Sequence, residues 1–136
     1  MQKYTPRGIH HVGMRSAHFD ETVKLYMEAF GFQKVYEWTD GPERCYMLET
    51  GDGSCFEIFS GGEETLPSLG RFNHIALRVD NCQETYERAL AAGAKSKVPP
   101  TFSDIAHAKP QPLKMYFAYV IGFDGEEIEF IQIVED

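Results

Sequence analysis

Two stretches of the chain alternate apolar and polar residues in the same way, and the same elements follow each of them. HHVGMRSAHFDET (10–22) and NHIALRVDNCQET (73–85) align without gaps, so that His11 falls on His74, Arg15 on Arg78, Val12 on Ile75 and Met14 on Leu77. Such self-similarity marks a structural repeat. Each copy opens on a period-two strand: His11, Gly13 and Arg15 share one face, opposite Val12 and Met14. In the second copy His74, Ala76 and Arg78 face away from Ile75, Leu77 and Val79. The period then changes to that of a helix. Val23, Tyr26, Met27 and Phe30 form an i, i+3, i+4, i+7 stripe that Gly31 should stop. Tyr86, Ala89 and Leu90 repeat the pattern, ending near Gly93.

Three more strands are predicted after each helix: about 33–38, 44–50 and 54–60 in the first copy, and 96–99, 114–122 and 127–134 in the second. DGPE, GDGS and FDGE supply the turns. The stretch 99–113 carries four prolines and no clear period, which predicts a loop, and one of that length reads as a lid. A Gly/Glu/Pro-rich linker is expected at about 61–71. The chain thus reads as one α+β domain of two tandem βαβββ modules, about 5–61 and 71–136. Neither module can bury its sheet alone. The two sheets are therefore expected side by side as a curved, partly closed mixed β-barrel with helices outside, its His/Arg strand faces lining a concave interior.

Chemistry concentrates on that interior. A lone strand histidine is more often a hydrogen-bonded core residue than a ligand, but His11 and His74 occupy equivalent repeat positions. Two carboxylates interrupt otherwise apolar final strands, Glu57 in CFEIF and Glu129 in EEIEFIQI. A charge inside a buried strand is costly unless it is paired or bound to metal. His11, Glu57, His74 and Glu129 together form a His-Glu-His-Glu set suited to one Zn(II), Ni(II), Co(II), Mn(II) or Fe(II) ion. His10 should point to the opposite face of its strand, and His107 sits in the expected lid.

Charge removes other classes of function. With 21 acidic and 13 basic residues the formal net charge is -8, which repels nucleic-acid backbones and anionic membrane surfaces. Cys45, Cys55 and Cys82 have no metal-binding spacing and read as reduced thiols of a cytoplasmic protein. The opening MQKYTPRGIHHV has no apolar run of signal-peptide type, and no stretch approaches the ~18 apolar residues that span a bilayer.

IHHVGMR with ETVKLYMEAFGF, CFEIF, NHIALRVDN and FDGEEIEFIQ resemble the vicinal oxygen chelate superfamily over nearly the whole chain. That superfamily includes glyoxalase I, methylmalonyl-CoA epimerase, extradiol dioxygenases, fosfomycin-resistance enzymes and bleomycin-binding proteins. The resemblance implies paired βαβββ modules, a metal in the concave cleft and a homodimer with sites near its interface. The four-residue set is most similar to that of glyoxalase I, which implies Ni or Zn, with Co, Mn or Fe as alternatives. It also implies isomerisation of a hemithioacetal or similar small carbonyl substrate by metal-stabilised enediolate chemistry, with Glu129 or Glu57 as general base. Arg15 matches a substrate-binding position, and Arg78 and His107 are further substrate-binding candidates. The chain departs from the glutathione-dependent pattern where SGGEE follows CFEIF, and its 99–113 segment lacks a basic cluster. An epimerase-like proton transfer and a non-catalytic small-molecule-binding module are the competing readings.

Overall fold

The computed structural model describes residues 9–63 and 74–135. The linker expected at about 61–71 lies mostly outside the described residues. Among these residues, eight strands and two helices follow one another as two βαβββ units. The first unit contains β1 (His11–Arg15), α1 (Phe19–Phe30), β2 (Gln33–Asp40), β3 (Glu43–Glu49) and β4 (Cys55–Phe59). The second contains β5 (Ile75–Arg78), α2 (Cys82–Ala91), β6 (Lys95–Ile105), β7 (Leu113–Ile121) and β8 (Glu127–Ile133). Their sheets have the same topology, β1-β4-β3-β2 and β5-β8-β7-β6. In each, the first strand pairs parallel to the last and the other pairs are antiparallel. The two sheets are separate, with β1 and β5 each ending its own sheet. No described helix is long and apolar enough to cross a membrane.

One core serves both units. Tyr26 of α1 stacks on Phe56 of β4 with ring centres 4.8 Å apart, while Phe30 meets Phe130 of β8 edge-on at 5.4 Å. Leu25, Ile58, Ala118, Val120 and Ile128 are fully buried around them. Burying such side chains is worth about 1.5–3 kcal/mol each, so the units stabilise one another. The alternation that turns Phe56 and Ile58 inward turns Glu57 outward. Ile128 and Phe130 leave Glu129 on the outer face in the same way.

Two details of the sequence reading change. Residues 99–105 are not loop: β6 runs through Pro99 and Pro100 as far as Ile105, with register shifts against β7 on both sides of Val98. Because β6 is an edge strand, a proline there forfeits little of the ladder, and the bulges accommodate the rest. Only the turn after Ile105 connects it to β7, so the long lid is absent. The stripe on α1 is also rotated. Phe19, Thr22, Leu25 and Ala29 are buried alongside Val23 and Tyr26, whereas Met27 is 36% exposed. Packing of α1 against α2 as well as a sheet draws its apolar face around toward Leu25 and Ala29. Gly31 ends α1 in the left-handed conformation, φ 73°, as its position predicts.

Candidate metal centre

Each unit builds one His–Glu pair from its first and last strands. His11 opens β1, and Gly13, two residues on, lies beside Glu57 in the parallel register. His11 Nε2 lies 3.7 Å from Glu57 Oε1. A Cβ on Gly13 would stand 3.5 Å from that oxygen, an ordinary contact distance. In the second unit His74 immediately precedes β5, Ala76 pairs with Glu129, and His74 Nε2 lies 3.1 Å from Glu129 Oε1. Small residues, Gly13 and Ala76, thus occupy equivalent places between the imidazole and the carboxylate.

The pairs do not merge within the chain. Among the described residues no three His, Cys, Asp or Glu side chains gather as a metal-binding group. The shared core explains this separation: both sheets turn their apolar faces toward α1 and α2, which sends the two His–Glu faces outward. Each pair still offers one imidazole nitrogen and one carboxylate oxygen. That donor set suits a borderline or hard divalent ion, and two such pairs would make a four-ligand site.

The surroundings of the pairs differ. Tyr119 is the antiparallel partner of Glu129, and its ring meets His74 edge-on at 5.3 Å. Burial, followed by the charge of Glu129, pushes the Tyr119 phenol above its ordinary pKa. The equivalent partner of Glu57 is Met47. The aromatic residues of β7 divide by strand face. Phe117 and Tyr119 share the Glu129 side, while Tyr116 faces the other way and packs with Phe102. The signal for Tyr119 was its register opposite Glu129, which needs the strand pairing to be known.

His10 joins the first pair: its Nδ1 lies 2.9 Å from Nδ1 of His11, because residue 10 precedes the strand and escapes its alternation. Arg15 shares the His11 face, where its guanidinium lies 5.1 Å from the Phe59 ring centre and donates to the Ser60 carbonyl at 3.2 Å. Arg78 ends β5 and is exposed. His107 is exposed in the turn beyond β6 and is not brought to either pair. The three thiols are buried and unbridged. Burial raises the pKa of Cys55 and of Cys82, as does the charge of a nearby glutamate, which keeps both protonated and poorly nucleophilic.

Comparison with known proteins places the fold. Residues 8–108 match the profile of the Glyoxalase/Bleomycin resistance protein/Dioxygenase superfamily. The uncharacterized protein YwbC of Bacillus subtilis (strain 168) is 27% identical over 128 residues, covering 91% of this chain and 96% of YwbC. A glyoxalase I mutant from Zea mays superposes with a TM-score of 0.74 at 20% identity over 93% of this chain. The chain spans only 46% of that maize enzyme. The fosfomycin resistance protein FosX of Listeria monocytogenes, complexed with Mn(II) and a dihydroxypropylphosphonic acid, superposes with a TM-score of 0.68 at 18% identity. That match covers 94% of this chain and 93% of FosX.

Proposed function

Because the chain belongs to the Glyoxalase/Bleomycin resistance protein/Dioxygenase superfamily, we propose that it is a divalent-metal-dependent enzyme of glyoxalase I type whose site is shared between two copies of the chain. In this reading His11 and Glu57 of one copy meet His74 and Glu129 of the other around one ion, Ni or Zn first, with Co, Mn or Fe accommodated by the same donors. The observation that carries it is the outward placement of two equivalent His–Glu pairs on sheets whose edges, β1 and β5, are unpaired with each other. A closed or partly closed barrel then forms between chains. Apolar side chains at the β1 edge support a homodimer: Ile9 is 71% and Val12 41% exposed, surface that a second copy would cover. The unbridged thiols suit a cytoplasmic enzyme.

The substrate is a hemithioacetal or a similar small carbonyl compound. A bound divalent ion supplies a Lewis acid for the negative charge that develops on the substrate oxygens. The chain's own residues do the rest. One of the two carboxylates removes the proton from the substrate carbon and returns it to the neighbouring one, a task that requires reach and a suitable proton affinity. Arg15 and Arg78 lie on the same strand faces as His11 and His74, placed to hold an anionic substrate end. An epimerase-like transfer would use the same groups, and exchange of substrate hydrogen with deuterated water without isomerisation would identify it.

The shared site is tested by mixing variants. Chains carrying His11→Ala and chains carrying His74→Ala should each lose bound metal and hemithioacetal isomerisation. Unfolded and refolded together, they should regain about a quarter of the wild-type sites, because half the dimers are mixed and each of these contains one intact site. No recovery, with each variant still dimeric by sedimentation, would assign all four ligands to one chain.

A further inference from the structure

Strand register fixes what surrounds each carboxylate, because directly paired residues point to the same side of a sheet. In the first unit Gly13, Glu57, Met47 and Tyr36 form one row across the outward face. The next row is Arg15, Phe59, Cys45 and Trp38. In the second unit the equivalent rows are Ala76, Glu129, Tyr119 and Val98, then Arg78, Ile131, Phe117 and Thr101. Each glutamate thus opens onto rings, aliphatic groups and sulfur, with one arginine at the β1 or β5 border. Much of this surface is uncovered in the single chain: Tyr36 is 66% and Trp38 40% exposed. Phe117 and Tyr119 meet edge-on with ring centres 6.2 Å apart. Lys97, near the Tyr119 ring, is paired with Glu127.

We propose that the substrate of this site carries an aromatic ring beside its reacting carbonyl unit and at most one acidic group, rather than a charged peptide. The inference rests on the metal-enzyme reading above and deepens it by naming the substrate class. A charged tripeptide thiol of the glutathione kind brings two carboxylates and an ammonium, and each of them needs a counter-charge when it leaves water. The four rows offer two guanidiniums. Apart from the two glutamates that would hold the metal, they offer no carboxylate to an ammonium. A ring suits the surface instead. Aromatic groups pack edge-on or offset against one another, and a thioether such as that of Met47 makes favourable contacts with a ring. Arg15 or Arg78 then takes the single acid.

Trp38 is the chain's one tryptophan and stands in these rows, so its fluorescence reports occupancy. The purified protein is titrated with mandelate (a ring, a hydroxyl and one carboxylate), with lactate (a methyl in place of the ring) and with S-methylglutathione. Mandelate should bind at least about 10-fold more tightly than lactate, and S-methylglutathione no more tightly than lactate. Phe117→Ala should weaken mandelate about 10-fold and leave lactate unchanged. Should that variant unfold, Phe117→Leu keeps the bulk without the ring and decides the same point. Tighter binding of S-methylglutathione than of mandelate, equal binding of mandelate and lactate, an unchanged mandelate affinity in the variant, or silence of Trp38 toward all three would each overturn the substrate class. The metal enzyme survives those outcomes if the protein still isomerises the hemithioacetal of methylglyoxal and glutathione. The expected ranking in a protein that isomerises no hemithioacetal would keep the ligand class and remove the enzyme.

Discussion

The first and second βαβββ units share one topology but are not equally self-sufficient. Helix α2 caps itself: the Asn81 side chain accepts from the Glu84 amide at 3.0 Å. Helix α1 has no such cap from His18. Its first turn is instead served from the other unit, where Asp124 accepts from the Ala17 amide at 2.6 Å and from the hydroxyls of Ser16 and Thr22. Glu126 extends the same contact, accepting from the Tyr26 hydroxyl at 3.0 Å and from the Asp124 amide. The corresponding turn of the first unit bends on itself, with Asp52 accepting from Ser54 and Thr50. One turn of the repeat is local and its twin is a latch. A duplicated fold can therefore divide its labour, one copy holding the other in place.

Breaking the latch is the severest test of that comparison. Asp124→Ala leaves the Ser16 and Thr22 hydroxyls and the start of α1 without their acceptor, and should cost about 3 kcal/mol by urea unfolding. Asp52→Ala should leave the urea midpoint near that of wild type, because Asp52 is exposed and Thr50 and Ser54 keep their bond to each other. Equal effects at the two aspartates would abolish the distinction. Next in size, Asn81→Ala should cost about 1 kcal/mol, the ordinary worth of a helix cap. A much larger loss would mean that α2 is no more independent than α1.

The smallest expected effect is a pH dependence confined to the latch. Burial is the main reason that the Glu126 carboxyl is raised above its ordinary pKa. A carboxyl raised in the folded state binds more protons folded than unfolded, so its contribution favours folding at the acidic end. That contribution declines as pH rises from the ordinary carboxylate range through the raised native value. Glu126→Gln retains a partner for Tyr26 and carries no charge. Its stability relative to wild type should therefore improve steadily from pH 4 to pH 7 in urea titrations. A constant difference would show that the carboxyl ionises alike in both states.

The repeat was legible because period-two alternation and helical stripes are local properties of the chain. His11 with Glu57 and His74 with Glu129 were legible for a related reason: a polar residue in an apolar strand stands out against the pattern. Pro99 and Pro100 misled because proline forbids the ladder in a central strand but not on an edge, and edge status depends on neighbours distant in sequence. Met27 misled because a helix that packs against both a sheet and a second helix buries a wider arc than one stripe.

By itself the sequence determined the two modules, their order of elements, the turn at Gly31 and the histidines and glutamates that stand out in their strands, since each follows from spacing along one strand or helix. Only the tertiary structure decided that both sheets turn inward onto one core, that the His–Glu pairs consequently face apart, and that Tyr119 stands behind Glu129 while Met47 stands behind Glu57. Those are outcomes of which faces pack and which strands pair. Long-range packing selects among arrangements that local periodicity leaves equivalent.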